Sequence, residues 1–283
     1  MKRFRSLAAL AAISALALSA CGNSDSGSDA SADPSAAGSG GVTKIVVGAS
    51  PVPHAEILKF VSENLAADAG IEIEVKEYSD YVLPNDDLQA GDLDANYFQT
   101  LPYYEDQVGM KNFTFDHGEG VHIEPFGVYS DKITDIKDLP DGATIAVPNE
   151  PSNQARAMLL LAKHNVFTVK DVKMPTIYDI DKNPKNIQLT EAEAPAVPKL
   201  LPDVDAAVIN GNFALDNGLV PSKDAIILES PENNPYVNVV AWNTNEDANK
   251  LAAVKKLDEL LHTPEVADYI KKTWPDGEVL PAF

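Results

Sequence analysis

The chain's strongest constraint on fold is an alternation of periodicities just past residue 41. Lys44-Ile-Val-Val-Gly-Ala49 is a short apolar run ending in small residues. Pro53 to Asp68 follows, with Ile57, Leu58, Val61 and Leu65 recurring at helical spacing. Ile71, Ile73 and Val75 then alternate strictly with Glu72, Glu74 and Lys76, the pattern of a half-buried strand. Strand, helix and strand at this spacing predict a βαβ unit, and therefore a parallel sheet covered by helices.

The rest of the chain repeats the theme. Helices are expected at Asp86–Ala90 and Leu101–Val108 around a strand at Ala95–Phe98. A second set has strands at Ala143–Val147 and Ala206–Asn210 with a helix from Pro151 to His164. Further strands are expected at Ala225–Leu228 and Tyr236–Trp242, then helices at Asp247–His262 and Pro264–Lys272. Thr263-Pro264 supplies a capping hydroxyl and a proline at the first helical position. Two stretches of strands mean two sheets, and 283 residues suit two lobes. The extended segments near Ile123–Tyr129 and Val237–Trp242 are expected to cross between them. The fold class is therefore α/β, a two-lobed clamshell with two crossing strands. Lobe 1 is expected to comprise residues 42–124 plus 239–283, and lobe 2 residues 125–238. In such an arrangement ligands lie in the cleft at the strand ends.

The N-terminus reads as an address. Lys2, Arg3 and Arg5 precede an apolar run from Leu7 to Leu18, too short for a stable span and built like a secretory signal. Leu18-Ser-Ala-Cys21-Gly22 then places the chain's only cysteine at the cleavage point, which resembles the lipobox of bacterial lipoproteins. Residues 1–20 are thus expected as signal peptide and Cys21 as the lipidated residue. Residues 21–41, rich in Ser, Gly, Ala and Asp, are expected as a flexible tether. Such a protein is anchored by lipid at the outer face of the cell membrane.

Charge narrows the partners. With 43 acidic and 22 basic residues the net charge is −21, which repels nucleic acid. A single cysteine excludes a disulfide framework and multi-thiolate metal sites. No nucleophile elbow, HExxH helix or phosphate-binding loop occurs, so no catalytic residue, cofactor or resident metal is expected. One metal pattern remains: His117-Gly-Glu119-Gly-Val-His122-Ile-Glu124 gathers imidazoles and carboxylates within eight residues. Its five-residue spacing places His117 and His122 on opposite faces of a strand. Asp179-Ile-Asp181-Lys-Asn183 begins like a calcium loop, but Pro184 and Thr190 stand where such a loop needs glycine and glutamate.

Other residues suggest a small-molecule cleft. Tyr78, Tyr81, Tyr97, Phe98, Tyr103 and Tyr104 crowd one stretch of an aromatic-poor chain. Asn153 and Arg156 share a face near the start of the Pro151 helix, where a carboxylate would be favoured. Asn210 ends a strand, and Asn238 lies on an expected crossing strand.

Nine short motifs then carry a resemblance. Asp80-Tyr-Val-Leu-Pro-Asn85, Asp94-Ala-Asn-Tyr-Phe-Gln99 and Pro102-Tyr103 resemble the methionine-binding lipoproteins of ABC importers, the NlpA/MetQ family. So do Glu124-Pro125, Gly127-Val-Tyr-Ser130, Ala146-Val-Pro-Asn149, Asn183-Pro-Lys-Asn186, Ala207-Val-Ile-Asn210 and Pro235-Tyr-Val-Asn238. The resemblance implies a type II-like periplasmic-binding fold that closes on a free amino acid. It implies delivery to a membrane permease and, through it, to an ATPase. By the same resemblance Tyr81, Phe98 and Tyr103 form the side-chain pocket, Arg156 with Asn153 holds the α-carboxylate, and Asn210 and Asn238 serve the ammonium and carboxylate. Thr100 stands where the family carries a pocket histidine. The expected ligand is L- or D-methionine or a close analogue, bound by a monomer. The alternatives are another amino acid or a methionine-containing dipeptide in the same fold, a metal-binding surface lipoprotein using His117, Glu119 and His122, and a scaffold lipoprotein without a ligand.

Overall fold

A computed structural model describes residues 41–283. The expected signal peptide, Cys21 and all but the last residue of the tether lie outside the described residues. Among the described residues no helix is long and apolar enough to cross a membrane.

The chain runs β1 (Thr43–Ala49), α1 (Glu56–Asn64), β2 (Ile71–Glu77), α2 (Leu83–Ala90), β3 (Ala95–Thr100), α3 (Leu101–Lys111), β4 (Phe115–His117) and β5 (His122–Ile123). It continues with β6 (Gly127–Tyr129), β7 (Thr144–Pro148), α4 (Pro151–Lys163), a small pair β8 (Thr168–Val169) and β9 (Ile180–Lys182), and β10 (Gln188–Ala192). Then come β11 (Ala206–Ile209), α5 (Gly211–Asp216), α6 (Pro221–Asp224) and β12 (Ala225–Leu228). The chain closes with β13 (Val237–Asn243), α7 (Ala248–Leu261), α8 (Pro264–Thr273) and β14 (Leu280–Pro281).

Two sheets result, as the alternation predicts. The first has the order β14-β5-β13-β3-β1-β2, with β4 also on β13. β1 pairs in parallel with both β2 and β3, which is the expected βαβ geometry. On β2, Ile71 and Ile73 face inward while Glu72 and Glu74 face water, as suits an edge strand. Ile57, Leu58 and Val61 of α1 pack with Val254 and Leu257 of α7 and with Ile45 and Val47 of β1. Burying each such side chain contributes about 1.5–3 kcal/mol. The second sheet has the order β10-β7-β11-β6-β12, parallel from β10 to β11 and antiparallel thereafter. Its core joins Phe126, Val128, Ile145 and Val208 to Met158 and Leu161 of α4.

The helix expected from Pro53 is regular only from Glu56. Val52 is extended (φ −127°, ψ 136°), as the residue before a proline tends to be, so the chain enters through a wide turn. The first crossing falls where expected, and the second differs. The first is made by residues 124–126, between β5 and β6. The second is made by residues 229–236, and β13 itself is an interior strand of the first sheet, bonded to β3, β4 and β5. Residues 238–242 are buried on both faces, which a free crossing segment cannot be. Asn238 pairs with Thr100 and so belongs to the first sheet.

Candidate functional site

All eight of the expected site residues line one cavity between the two sheets. Tyr81, Phe98, Thr100, Tyr103 and Asn238 come from the first sheet's side, and Asn153, Arg156 and Asn210 from the second's. Gln99, Glu124, Gly211 and Asn212 complete the wall of a narrow cavity of about 20 Å³, well below the usual range for ligand pockets.

One wall is aromatic. Tyr81 lies 5.9 Å from Phe98 and 5.6 Å from Tyr103 between ring centres, and Phe98 and Tyr103 meet edge to face at 6.0 Å. Phe98 points into the cleft from β3, and Tyr103 follows on the first turn of α3. Thr100 caps that helix, its hydroxyl accepting a long bond of 3.4 Å from the Tyr103 N–H. Tyr103 Oη donates to the Tyr81 carbonyl at 2.8 Å. Tyr81 Oη donates across the cleft to Asn212 Oδ1 at 2.5 Å, a direct bond from one sheet's side to the other's. Burial pushes both phenols well above their ordinary range, so they stay neutral donors.

The opposite wall is polar and centres on Arg156. Pro151 starts α4 with its missing N–H, and Arg156 lies one turn further on a face that the second core buries. Its Nε donates to Glu229 Oε1 at 3.1 Å, and Nη2 donates to Glu229 Oε2 and, at 3.1 Å, to the Glu124 carbonyl. The guanidinium carbon sits 4.7 Å from the Phe126 ring centre and 4.1 Å from the Tyr236 ring centre, so two aromatic rings pack against it. Nη1 makes no hydrogen bond among the described residues. A planar cation therefore offers its one remaining edge to the cleft. Glu229 is held below the ordinary carboxylate range by the Arg156 charge, which overcomes its burial, and Asn234 adds a bond at 2.8 Å. Beside it Asn210 Nδ2 donates to Asn153 Oδ1 at 3.2 Å, and Asn153 Nδ2 donates to Glu150 Oε2 at 3.2 Å. Asn210 Oδ1 is buried and has no hydrogen-bond partner.

Behind the cleft lies a buried cluster in which His54, from a distant part of the chain, joins His122 and Glu124. Glu124 Oε1 is 2.8 Å from His122 Nε2 and 3.5 Å from His54 Nε2. His54 Nε2 also lies 3.0 Å from Asn238 Oδ1, and the Tyr97 hydroxyl bonds His122 Nδ1. Burial pushes His54 down to about 4, against the pull of Glu124, and pushes His122 down to about 3. Burial raises Glu124, while the charges of His54 and Arg156 and the Asn212 N–H oppose the rise.

This cluster corrects the metal reading built on His117, Glu119 and His122. His117 Nδ1 bonds the Gly118 carbonyl and its ring packs on Tyr104, whereas His122 points into the core toward Tyr97 and Glu124. The one group of metal-ligand type gathered among the described residues is His54, His122 and Glu124. The ring nitrogens of His122 both have protein partners, whereas Nδ1 of His54 is buried without one.

Glu229, Phe126, Tyr236, Glu124, Asn212 and His54 were not among the expected site residues. Glu229 lies 73 residues from Arg156, and no local pattern links them. Tyr97 does carry a signal: as the strand neighbour of Phe98 it must face the opposite side, where the histidines lie.

The NlpA lipoprotein family matches residues 45–283. The methionine-binding lipoprotein MetQ of Bacillus subtilis is 39% identical, across 97% of this chain and 97% of its own. A nutrient binding protein from Burkholderia cenocepacia, solved bound to methionine, is 41% identical with a TM-score of 0.79 over 84% of this chain and 100% of that one. A periplasmic substrate-binding protein of an ABC transporter from Coxiella burnetii is 37% identical, with a TM-score of 0.79 over 84% and 100%.

Proposed function

The chain belongs to the NlpA lipoprotein family, and from this premise we propose that it captures methionine outside the membrane and delivers it to the permease of an ABC importer. It is a binding protein, not a catalyst. It works as a monomer tethered by lipid at Cys21, and takes L- or D-methionine or a close analogue.

The observation that carries this reading is the free edge of Arg156, facing a cavity whose other wall is Tyr81, Phe98 and Tyr103. The edge suits a carboxylate, and a charge-assisted bond there contributes about 1.5–3 kcal/mol. Aromatic faces suit a thioether, at about 0.3–1.5 kcal/mol for each sulfur–ring contact. With burial of the chain these terms reach the roughly −8 kcal/mol of micromolar binding after ordering costs. Contacts to both walls at once favour the closed form of the lobes.

Calorimetric titration with L- and D-methionine tests the reading. Arg156→Ala should lose detectable binding while the far-UV circular dichroism stays native; near-unchanged affinity would remove Arg156 from the site. Thr100, where related proteins by resemblance carry histidine, favours one second reading, a ligand of larger bulk such as a methionine-containing dipeptide. Thr100→His separates the two. It should preserve or strengthen methionine binding if methionine is the ligand, and weaken binding of a bulkier one.

A further inference from the structure

Apart from Arg156, whose charge is already met by Glu229, the side chains lining the cleft include one ionisable carboxyl group, Glu124. Its two oxygens have different surroundings. Oε1 bonds His122 Nε2 and lies 3.5 Å from His54 Nε2. Oε2 faces the start of α5, so close that a Cβ added at Gly211 would stand 3.0 Å from it and 2.6 Å from the Glu124 Cβ. A glycine at that position lets the carboxylate and the α5 backbone approach. The same corner of the cleft holds the unpartnered Oδ1 of Asn210, a side chain only 6% exposed. A carboxylate and a bare amide carbonyl thus meet one small cavity, and both are acceptors.

A zwitterion brings three N–H donors and one positive charge. Neutral amides can accept the N–H bonds, but they leave the charge unmet in a desolvated site, which is expensive. We propose that Glu124 is the counter-ion of the bound ligand's α-ammonium, with Asn210 Oδ1 as its neutral co-acceptor. The cleft is thereby selective for free α-amino acids over N-acylated or des-amino analogues. This rests on the solute-binding reading and deepens it. His122 acts as a positioning residue: a neutral imidazole whose Nε2–H orients Glu124 without cancelling the charge that the ammonium needs, while His54 Nε2 bonds Asn238 Oδ1 and stands 3.5 Å from the carboxylate. The backbone carbonyl of the same Glu124 accepts from Arg156 Nη2, so one residue of the first crossing segment fixes both ends of the zwitterion site.

The test pairs two ligands with two proteins. Full-length protein stripped of bound solute is titrated with L-methionine and with 4-(methylthio)butanoate, which keeps the carboxylate and thioether and lacks the amine. Wild type should prefer methionine by about 30-fold or more, the usual loss when one member of a buried charge pair is removed. Glu124→Gln should weaken methionine by a similar factor and leave the des-amino acid within about threefold of wild type, collapsing the preference. N-acetyl-methionine should behave like the des-amino acid. Glu124→Asp, which keeps the charge but draws it back, should weaken methionine alone and to a smaller degree, and serves if the glutamine variant does not fold. Equal loss of both ligands in these variants would make Glu124 merely structural and overturn the proposal, as would an unchanged preference in Glu124→Gln. If wild type binds the des-amino acid as tightly as methionine, the ammonium has no charged partner and the proposal falls while solute binding stands. If wild type binds neither, the solute-binding reading itself fails.

Discussion

Arg156 and Glu229 form a buried pair whose parts were unequally visible in the chain. The arginine could be read from its place near a helix start and from Asn153 on the same face. Its carboxylate could not, because Glu229 arrives from the second crossing segment, 73 residues on. The pair has an energetic consequence. Removing one member of a buried ion pair typically costs about 3–5 kcal/mol, because the other is left charged without compensation. Asn234 and the Phe126 N–H still bond Glu229, so Arg156→Ala should destabilise toward the lower end of that range. Adding Glu229→Gln should recover part of the loss. A double-mutant cycle by urea denaturation checks this, and additive losses would show that the two side chains are not energetically coupled.

At the level of elements, the helices and the strands flanking the cleft were legible because each carries a periodicity and a stop signal. β13 was legible as extended, but its place was not, since sheet membership depends on long-range pairing with β3, β4 and β5. The start of α1 shifted because residues 51–55 form a wide turn ahead of the regular helix, which a count of apolar spacings does not register. Two element ends give predictions. Thr100 caps α3 through a 3.4 Å bond, so Thr100→Ala should cost about 0.5–1 kcal/mol, the low end for a lost N-cap, in chemical denaturation. A change larger than a few kcal/mol would mean that Thr100 supports more than the helix end. Gly211 opens α5 against Glu124, and a Cβ there would lie 2.6 Å from the Glu124 Cβ. Gly211→Ala should therefore destabilise by about 1–3 kcal/mol through overpacking, and should weaken methionine binding by displacing Glu124. Wild-type affinity in that variant would show that Glu124 moves aside without effect.

For the molecule as a whole, the buried histidines tie stability to pH. Their folded values, about 4 for His54 and about 3 for His122, lie below the ordinary 6.5. The unfolded chain therefore takes up protons that the folded one refuses. Stability is full above about pH 6.5 and falls as pH drops toward 4, at up to roughly 3 kcal/mol for His54 alone. Glu124, raised by burial, acts in the opposite sense and takes a proton in the folded state first, which moderates the slope. Urea melts at several pH values should show this decline, and a His54→Gln, His122→Gln double variant should flatten it; an unchanged slope would place the acid sensitivity elsewhere. His122 was legible only as a metal-ligand candidate and His54 not at all, because His54, His122 and Glu124 converge only when α1's entry turn, β5 and the first crossing come together. The contact of the Phe126 and Tyr236 rings with the Arg156 guanidinium has a further consequence. Held by two rings and by Glu229, the arginine head is fixed in place before any solute arrives, so little side-chain freedom is left to lose when a carboxylate meets it.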